Sequence, residues 1–321
     1  MSVQTTAARQ TREHYAAELR AAGLDAPWLE PGPLIRSKAS AMQARLWRWQ
    51  DIEAMVRRSP DFMAPGRGAE RRILRLDNPG VPERTAGHTI SIAVQYLLPG
   101  EVAPAHRHTP SAVRFMLHGE GAFTTIEGDK FVMRRGDLVV TPSMTWHDHG
   151  NEGPEPVIWT DALDSPVVRY LEDLAMDPYG GEAQPVRSGP PARQLHHRWE
   201  AACAALRART PDPFDDVIME YLDPATGHSV VPALGCYLQL IRPGVRTRAH
   251  RETSSSVYHV VEGAGYTEID GVRHHWGAGD FFAIPPRALH AHGNDGAAPA
   301  ILYSVQDVPL LRALGLYRVE A

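Results

Sequence analysis

The chain has 321 residues, 43% of them hydrophobic, and a formal charge of −5. That is enough apolar material for one large or two ordinary cores, and an acidic balance without any run of Lys or Arg excludes a nucleic-acid footprint. Two cysteines, Cys203 and Cys236, exclude a disulfide framework and fit a reducing compartment.

The first thirty residues carry charges throughout (Arg9, Arg12, Glu13, Glu18, Arg20), so they hold no apolar leader core. No stretch approaches the roughly 18 apolar residues of a membrane span. A cytoplasmic protein without a membrane partner is expected. Tyr15, Leu19 and Ala22 mark an amphipathic helix from Gln10 to Gly23, and a second helix is predicted from Trp47 to Val56. Short strands separated by Gly, Pro and Asp turns follow: Ile73 to Leu76, Thr89 to Leu98, Ala112 to Leu117, Gly121 to Ile126, Lys130 to Met133, Asp137 to Thr141 and Val157 to Ala162. Between Asp164 and Asp216 the texture changes to Pro and Gly turns, then to a helical pattern from Arg193 to Arg209. A second β-rich region runs from about Ser229 to the end.

The second region repeats the first. Gly119-Glu-Gly121 recurs 144 residues on as Gly263-Ala-Gly265, while Gly136-Asp137 and His147-Asp-His149-Gly-Asn151 recur 143 residues on as Gly279-Asp280 and His290-Ala-His292-Gly-Asn294. Two copies of one small β-barrel are the most economical fold, all-β with short helices before and between the barrels. The expected boundaries are 1–70 for an N-terminal helical segment, 71–165 for a first barrel, 166–215 for a linker and helix, and 216–321 for a second barrel.

The first copy carries the chemistry. Side chains at i and i+2 of a strand share a face, so His106 and His108 present two imidazoles to one point and His147 on a neighbouring strand completes a facial site. An isolated His-X-His pair is more often two unrelated histidines; the third histidine and the glycine and proline spacing around it favour a metal. Three neutral nitrogens leave coordination positions open for a chelating ligand and a small gas molecule. The residues after His108, from Thr109 to Val113, supply no carboxylate. The ion therefore keeps its full charge for an anionic chelator. Arg114 has the parity of the paired histidines and is a candidate for holding a substrate carboxylate or stabilising charge on oxygen, with an arginine paired to a buried acid as the alternative. His149 shares the face of His147 and is a candidate proton donor or hydrogen-bond partner to a phenolate. Gln95 is placed to orient O₂ or substrate, and Asp161 to hold His149 in one tautomer.

The pattern Gly100, His106, His108, then Gly136, Pro142, His147 and Asn151 resembles the two motifs of the cupin superfamily, and two such barrels make a bicupin. Within it, Pro104-Ala-His106-Arg-His108-Thr, Arg114-Phe, Thr141-Pro-Ser and Thr145-Trp-His147-Asp-His149-Gly-Asn151 resemble the gentisate 1,2-dioxygenase group, which includes salicylate and 1-hydroxy-2-naphthoate 1,2-dioxygenases. The resemblance implies jelly-roll barrels, Fe(II) on His106, His108 and His147, a homotetramer, and a small aromatic hydroxy acid that reacts with O₂. The ring then opens between the carboxylate-bearing carbon and its hydroxylated neighbour, as in the conversion of gentisate to maleylpyruvate. It also implies a substrate-binding arginine upstream of the barrel, for which Arg71, Arg72 and Arg75 are available. Relatives of the salicylate type carry a bulky tryptophan on the strand before the glutamine, where this chain has Thr89, Ile90 and Ser91. Smaller residues there widen the pocket or change how the ring stacks, so salicylate, nitrosalicylate or 1-hydroxy-2-naphthoate stand beside gentisate as substrates. Two other readings keep the metal: a non-catalytic barrel that senses a small organic acid, and an iron enzyme oxidising a thiol or diketone.

In the second copy His106-Arg-His108 becomes His250-Arg-Glu252, His147 becomes His290, and Arg114 becomes Tyr258. Two histidines and a carboxylate still suit a divalent ion, but no cation awaits an anionic substrate. A structural role is expected for this barrel.

Overall fold

The computed structural model describes residues 6–30, 32, 40–63, 72–181 and 183–321. Residues 1–40 form a unit of their own, in which helix α1 (Thr6–Ala21) ends before Gly23 at φ +70° and Tyr15 packs beside Trp28 with ring centroids 6.3 Å apart. Only glycine takes that left-handed turn without strain.

Residues 41–321 form the second unit and hold both barrels. It opens with β1 (Arg45–Trp47), α2 (Trp49–Arg58) and β2 (Ile73–Arg75). The strands β3 (Ser91–Leu97), β4 (Val102–His108), β5 (Ala112–His118), β6 (Ala122–Ile126), β7 (Asp129–Val132), β8 (Leu138–Thr141), β9 (His147–Asn151) and β10 (Val157–Leu163) then build the first barrel. After α3 (Ser165–Tyr170) the segment expected to be a linker supplies β11 (Met176–Pro178) and β12 (His196–His197), followed by α4 (Trp199–Arg207). One six-stranded sheet runs β12-β8-β5-β10-β3-β2, and a five-stranded sheet runs β11-β4-β9-β6-β7. Without β11 and β12, β4 and β8 would each be open edges with unpaired backbone groups.

The second barrel repeats this plan with β13 (Val217–Glu220), β14 (Gly235–Ile241), β15 (Arg251–Glu252), β16 (Ser256–Glu262), β17 (Ala264–Ile269), β18 (Val272–Gly277), β19 (Phe281–Ile284), β20 (His290–Gly293) and β21 (Ala300–Gln306), then α5 (Val308–Ala313) and β22 (Val319–Glu320). Its large sheet is ordered β1-β19-β16-β21-β14-β13. The large sheets of the two barrels pack together: Phe115 of β5 stacks on Tyr303 of β21, ring centroids 4.2 Å apart and nearly parallel, within one continuous apolar cluster. Burying strands on both faces explains why β3, β10 and β21 carry long apolar runs. Among the described residues no helix is long and apolar enough to cross a membrane.

The repeated Gly-Asp pairs have a structural cause. Asp137 accepts from the backbone N–H of Trp199 at 2.9 Å, and Asp280 accepts from that of Trp49 at 2.9 Å, so each carboxylate caps a helix distant in sequence. A Cβ on Gly136 would lie 2.4 Å from the Trp199 ring, and one on Gly279 2.5 Å from that of Trp49. Each glycine therefore gives its tryptophan a seat. The helix preceding one barrel is thus anchored on the other: β1 pairs with β19 of the second barrel, and β12 pairs with β8 of the first. Both predicted helices consequently start later than their periodicity suggests. Arg45 to Trp47 and His196 to His197 are drawn into sheets, and the helices begin at the capped Trp49 and Trp199.

Candidate active site

In the first barrel the strand register places three histidines together. His106 and His108 lie two apart on β4, and His147 on β9 is the direct cross-strand partner of His106. Ligand nitrogens of the three lie within 4.8 Å of one another, and among the described residues this is the one group of three or more His, Cys, Asp or Glu so arranged. Each Nδ1 meets a backbone carbonyl: His106 that of Pro104 at 2.9 Å, His108 that of Pro110 at 2.7 Å, and His147 that of Thr145 at 2.8 Å. A carbonyl only accepts, so each Nδ1 carries the proton and each Nε2 presents a lone pair. That is the tautomer a metal requires. The residues therefore fit a divalent first-row ion, with no carboxylate in the set.

The opposite wall belongs to the six-stranded sheet. Arg114 on β5 pairs in register with Asp161 on β10, which faces Ala93 on β3; one step along, Met116, Trp159 and Gln95 align. Arg114, Asp161, Trp159, Gln95 and Ala93 therefore share the interior face. Arg114 is 3% exposed; it donates to Asp161 Oδ2 at 3.0 Å and to Thr124 Oγ1, and its guanidinium lies over the Trp159 ring at 4.7 Å. Trp159 Nε1 donates to the same Asp161 oxygen at 3.0 Å. The buried arginine is thus held by one acid and one aromatic face, as a charge removed from water must be. Gln95 is 1% exposed and its Nε2 has no partner among the described residues. A buried amide with an unmet donor on the wall that carries Arg114 is suited to a bound oxygen atom.

Two expectations about neighbours change. Asp161 Oδ2 accepts from Arg114 and Trp159, and its Oδ1 lies 2.8 Å from Arg114 Nη2, so the acid is engaged by the arginine; the groups at His149 Nδ1 are the Thr124 hydroxyl at 3.1 Å and Arg114 Nη1. The motif reading passed over Thr124 and Trp159, although Thr124 has a repeat signal in Thr267, 143 residues on. Arg72 is buried against Glu101, to which it donates, and against the carbonyls of Tyr96 and Met63. Burial lowers its pKa from the usual arginine value. Its two terminal nitrogens are engaged by protein groups. Arg71 lies outside the described residues. Arg75 sits exposed on β2 opposite Ala93.

The second barrel lacks this convergence. His290 keeps the orienting bond of its counterpart, Nδ1 to the Ala288 carbonyl at 3.1 Å. Glu252, in the place of His108, is held instead by Tyr317 Oη and Ser254 Oγ, each at 2.8 Å, and lies 3.9 Å from His250 Nε2. Tyr258, in the place of Arg114, stacks on Phe282 with centroids 4.7 Å apart. Asp215 lies close by, and burial, then Glu252 and Asp212, push its carboxyl up to about 7 from the ordinary 3.8. The native state thus holds this proton more tightly than the unfolded chain does. Its contribution is intact below the unfolded value and is lost as pH rises from about 4 through about 7. Asp215→Asn should therefore raise the thermal midpoint relative to the parent at pH 8 and leave it unchanged at pH 4, measured by scanning calorimetry. An unaltered pH slope would remove Asp215 as its source.

Comparison with known proteins gives the same picture. A family model described as "Cupin domain" matches residues 93–163 and 237–306, one match in each barrel. The chain is 37% identical over 303 residues to a 5-aminosalicylate 1,2-dioxygenase of Comamonas sp, covering 86% of this chain and 81% of that protein. It is 34% identical over 299 residues to a gentisate 1,2-dioxygenase of Ralstonia sp, covering 86% and 84%. Among solved structures, a salicylate 1,2-dioxygenase from Pseudoaminobacter salicylatoxidans with gentisate superposes with a TM-score of 0.88 at 28% identity, covering 99% of this chain and 96% of that one.

Proposed function

The chain belongs to the family of gentisate- and salicylate-type 1,2-dioxygenases, bicupin oxidoreductases that cleave an aromatic ring with O₂, and on that footing we propose that it opens a 5-substituted ortho-hydroxybenzoate with Fe(II) held by His106, His108 and His147. The observation that carries this reading is the all-imidazole cluster facing a buried arginine across one barrel interior. Fe(II) there would supply positions for the substrate's carboxylate and hydroxyl and for O₂, together with a path for electrons from the substrate to O₂. With no anionic protein ligand, an anionic chelator meets the ion's whole charge.

The remaining work falls to the chain's own side chains. Arg114, fixed by Asp161 and Trp159, supplies positive charge where a carboxylate or a reduced oxygen sits. Gln95 offers its unmet amide N–H to an oxygen atom. Ser91 shares the parity of Ala93 and Gln95 along β3, so two small residues line the wall beyond the glutamine. Room at that wall favours a ring bearing a substituent, such as gentisate or 5-aminosalicylate, over unsubstituted salicylate.

An oxygen-electrode screen of the Fe(II)-loaded protein against gentisate, 5-aminosalicylate, salicylate, 5-nitrosalicylate and 1-hydroxy-2-naphthoate tests this directly. Uptake is expected to be fastest with a 5-substituted ring. No uptake with any of them would refute the proposal, and a preference for unsubstituted salicylate would refute the argument from Ser91 and Ala93.

A further inference from the structure

Thr124 on β6 stands directly across from His149 on β9, and in the second barrel Thr267 stands directly across from His292. Each hydroxyl meets Nδ1 of its histidine, at 3.1 Å and 2.9 Å respectively. Each hydroxyl also receives a hydrogen from a group that can only donate. In the second barrel this is Trp276 Nε1 at 2.9 Å, and in the first it is the Arg114 guanidinium. A hydroxyl accepting from such a donor still has its own proton to give, and the ring nitrogen stands in front of it. Nδ1 then accepts, and the proton of a neutral imidazole resides on Nε2.

Arg114 does not take over this function. It approaches both ring nitrogens of His149, with Nη1 near Nδ1 and Nη2 3.1 Å from Nε2. The lone-pair directions of an imidazole diverge within the ring plane, whereas the two terminal nitrogens of a guanidinium sit side by side. A neutral imidazole offers one in-plane lone pair, so the two guanidinium nitrogens cannot both donate to this ring. The contact at Nδ1 that both barrels share is the threonine hydroxyl, Thr124 here and Thr267 there, and Thr124 is taken as the partner. The second barrel supports this independently, because Tyr258 replaces the arginine there and the Thr-His pair persists.

We propose that Thr124 is a positioning residue that fixes His149 as the Nε2–H tautomer, so that His149 meets an anionic substrate oxygen as a hydrogen-bond donor rather than as a base. The tautomer follows from the geometry; the donor role rests on the hydroxybenzoate reading above. This is opposite to the three metal-cluster histidines, whose Nδ1 atoms carry the proton.

The test uses ¹⁵N-histidine-labelled, full-length protein loaded with zinc, a diamagnetic ion that accepts imidazole ligands. His149 is assigned by its loss in His149→Gln. Its Nδ1 should resonate as an unprotonated nitrogen and its Nε2 as a protonated one. Thr124→Ser should keep that spectrum, and Thr124→Val should move protonation toward Nδ1. Anaerobic calorimetry on the same proteins should show gentisate bound about tenfold more weakly by Thr124→Val and within about twofold of the parent by Thr124→Ser, as expected for loss of one hydrogen bond to a charged group. A parent spectrum with the proton on Nδ1, or a Thr124→Val spectrum like the parent's, would overturn the assignment. If Thr124→Val does not fold, the parent spectrum alone decides. A parent protein showing the expected tautomer but binding no ortho-hydroxybenzoate would overturn the substrate reading instead.

Discussion

His147→Ala is expected to strip the first barrel of its metal and reduce ring cleavage to background, while His290→Ala, the same change in the second barrel, keeps both. The two positions are sequence equivalents, and each histidine has its Nδ1 on a backbone carbonyl two residues earlier. They differ in company. His147 converges with His106 and His108, whereas His290 meets His250, ring centroids 4.3 Å apart, and Glu252 is occupied by Tyr317 and Ser254, so no such group of three forms there among the described residues. Both substitutions empty a buried site, and both should lower the melting temperature through lost packing. Stability therefore cannot explain a difference in metal content. Elemental analysis after dialysis, with activity on the same samples, separates the two. Metal retained by His147→Ala would place the ion elsewhere.

The second large effect is expected at Arg114. Arg114→Ala leaves Asp161 as a buried, uncompensated carboxylate, which costs about 3–5 kcal/mol of stability. It should also weaken substrate binding by roughly 10- to 100-fold, the value of a charge-assisted hydrogen bond of about 1.5–3 kcal/mol. The two effects can be told apart. Arg114→Met combined with Asp161→Asn removes the stranded charge and should recover most of the melting temperature but none of the substrate affinity. Arg114→Lys should fall short as well, because an ammonium cannot lie on Trp159 and reach Asp161 and Thr124 together in the manner of a planar fork. Recovery of affinity in the double variant would make Arg114 a purely structural residue.

Much of this was legible in the letters because the repeat is regular and strand parity is strict. His106 and His108 alternate along β4, and Arg114 lies on β5 of the other sheet, within reach of His149. What escaped were partners set by strand pairing and by packing between elements distant in sequence. Asp161 sits two residues from Trp159 and opposite Arg114, so the ion pair satisfies it before His149 can. Local sequence leaves Arg71, Arg72 and Arg75 equivalent, and Glu101, distant in sequence, distinguishes Arg72. The helix starts were missed for a similar reason: the caps on Trp49 and Trp199 come from Asp280 and Asp137, residues no local window contains. Short edge strands such as β11 and β12 carry too few residues for any periodicity to reveal them.

Insertion of both atoms of O₂ into one aromatic ring is read out by mass analysis of the product formed under ¹⁸O₂ from whichever hydroxybenzoate is consumed fastest. One O₂ should be taken up per ring, and the product should be acyclic and carry two labelled oxygen atoms. A product that keeps its aromatic ring, or that carries one labelled oxygen or none, would rule out ring-cleaving dioxygenation by this chain.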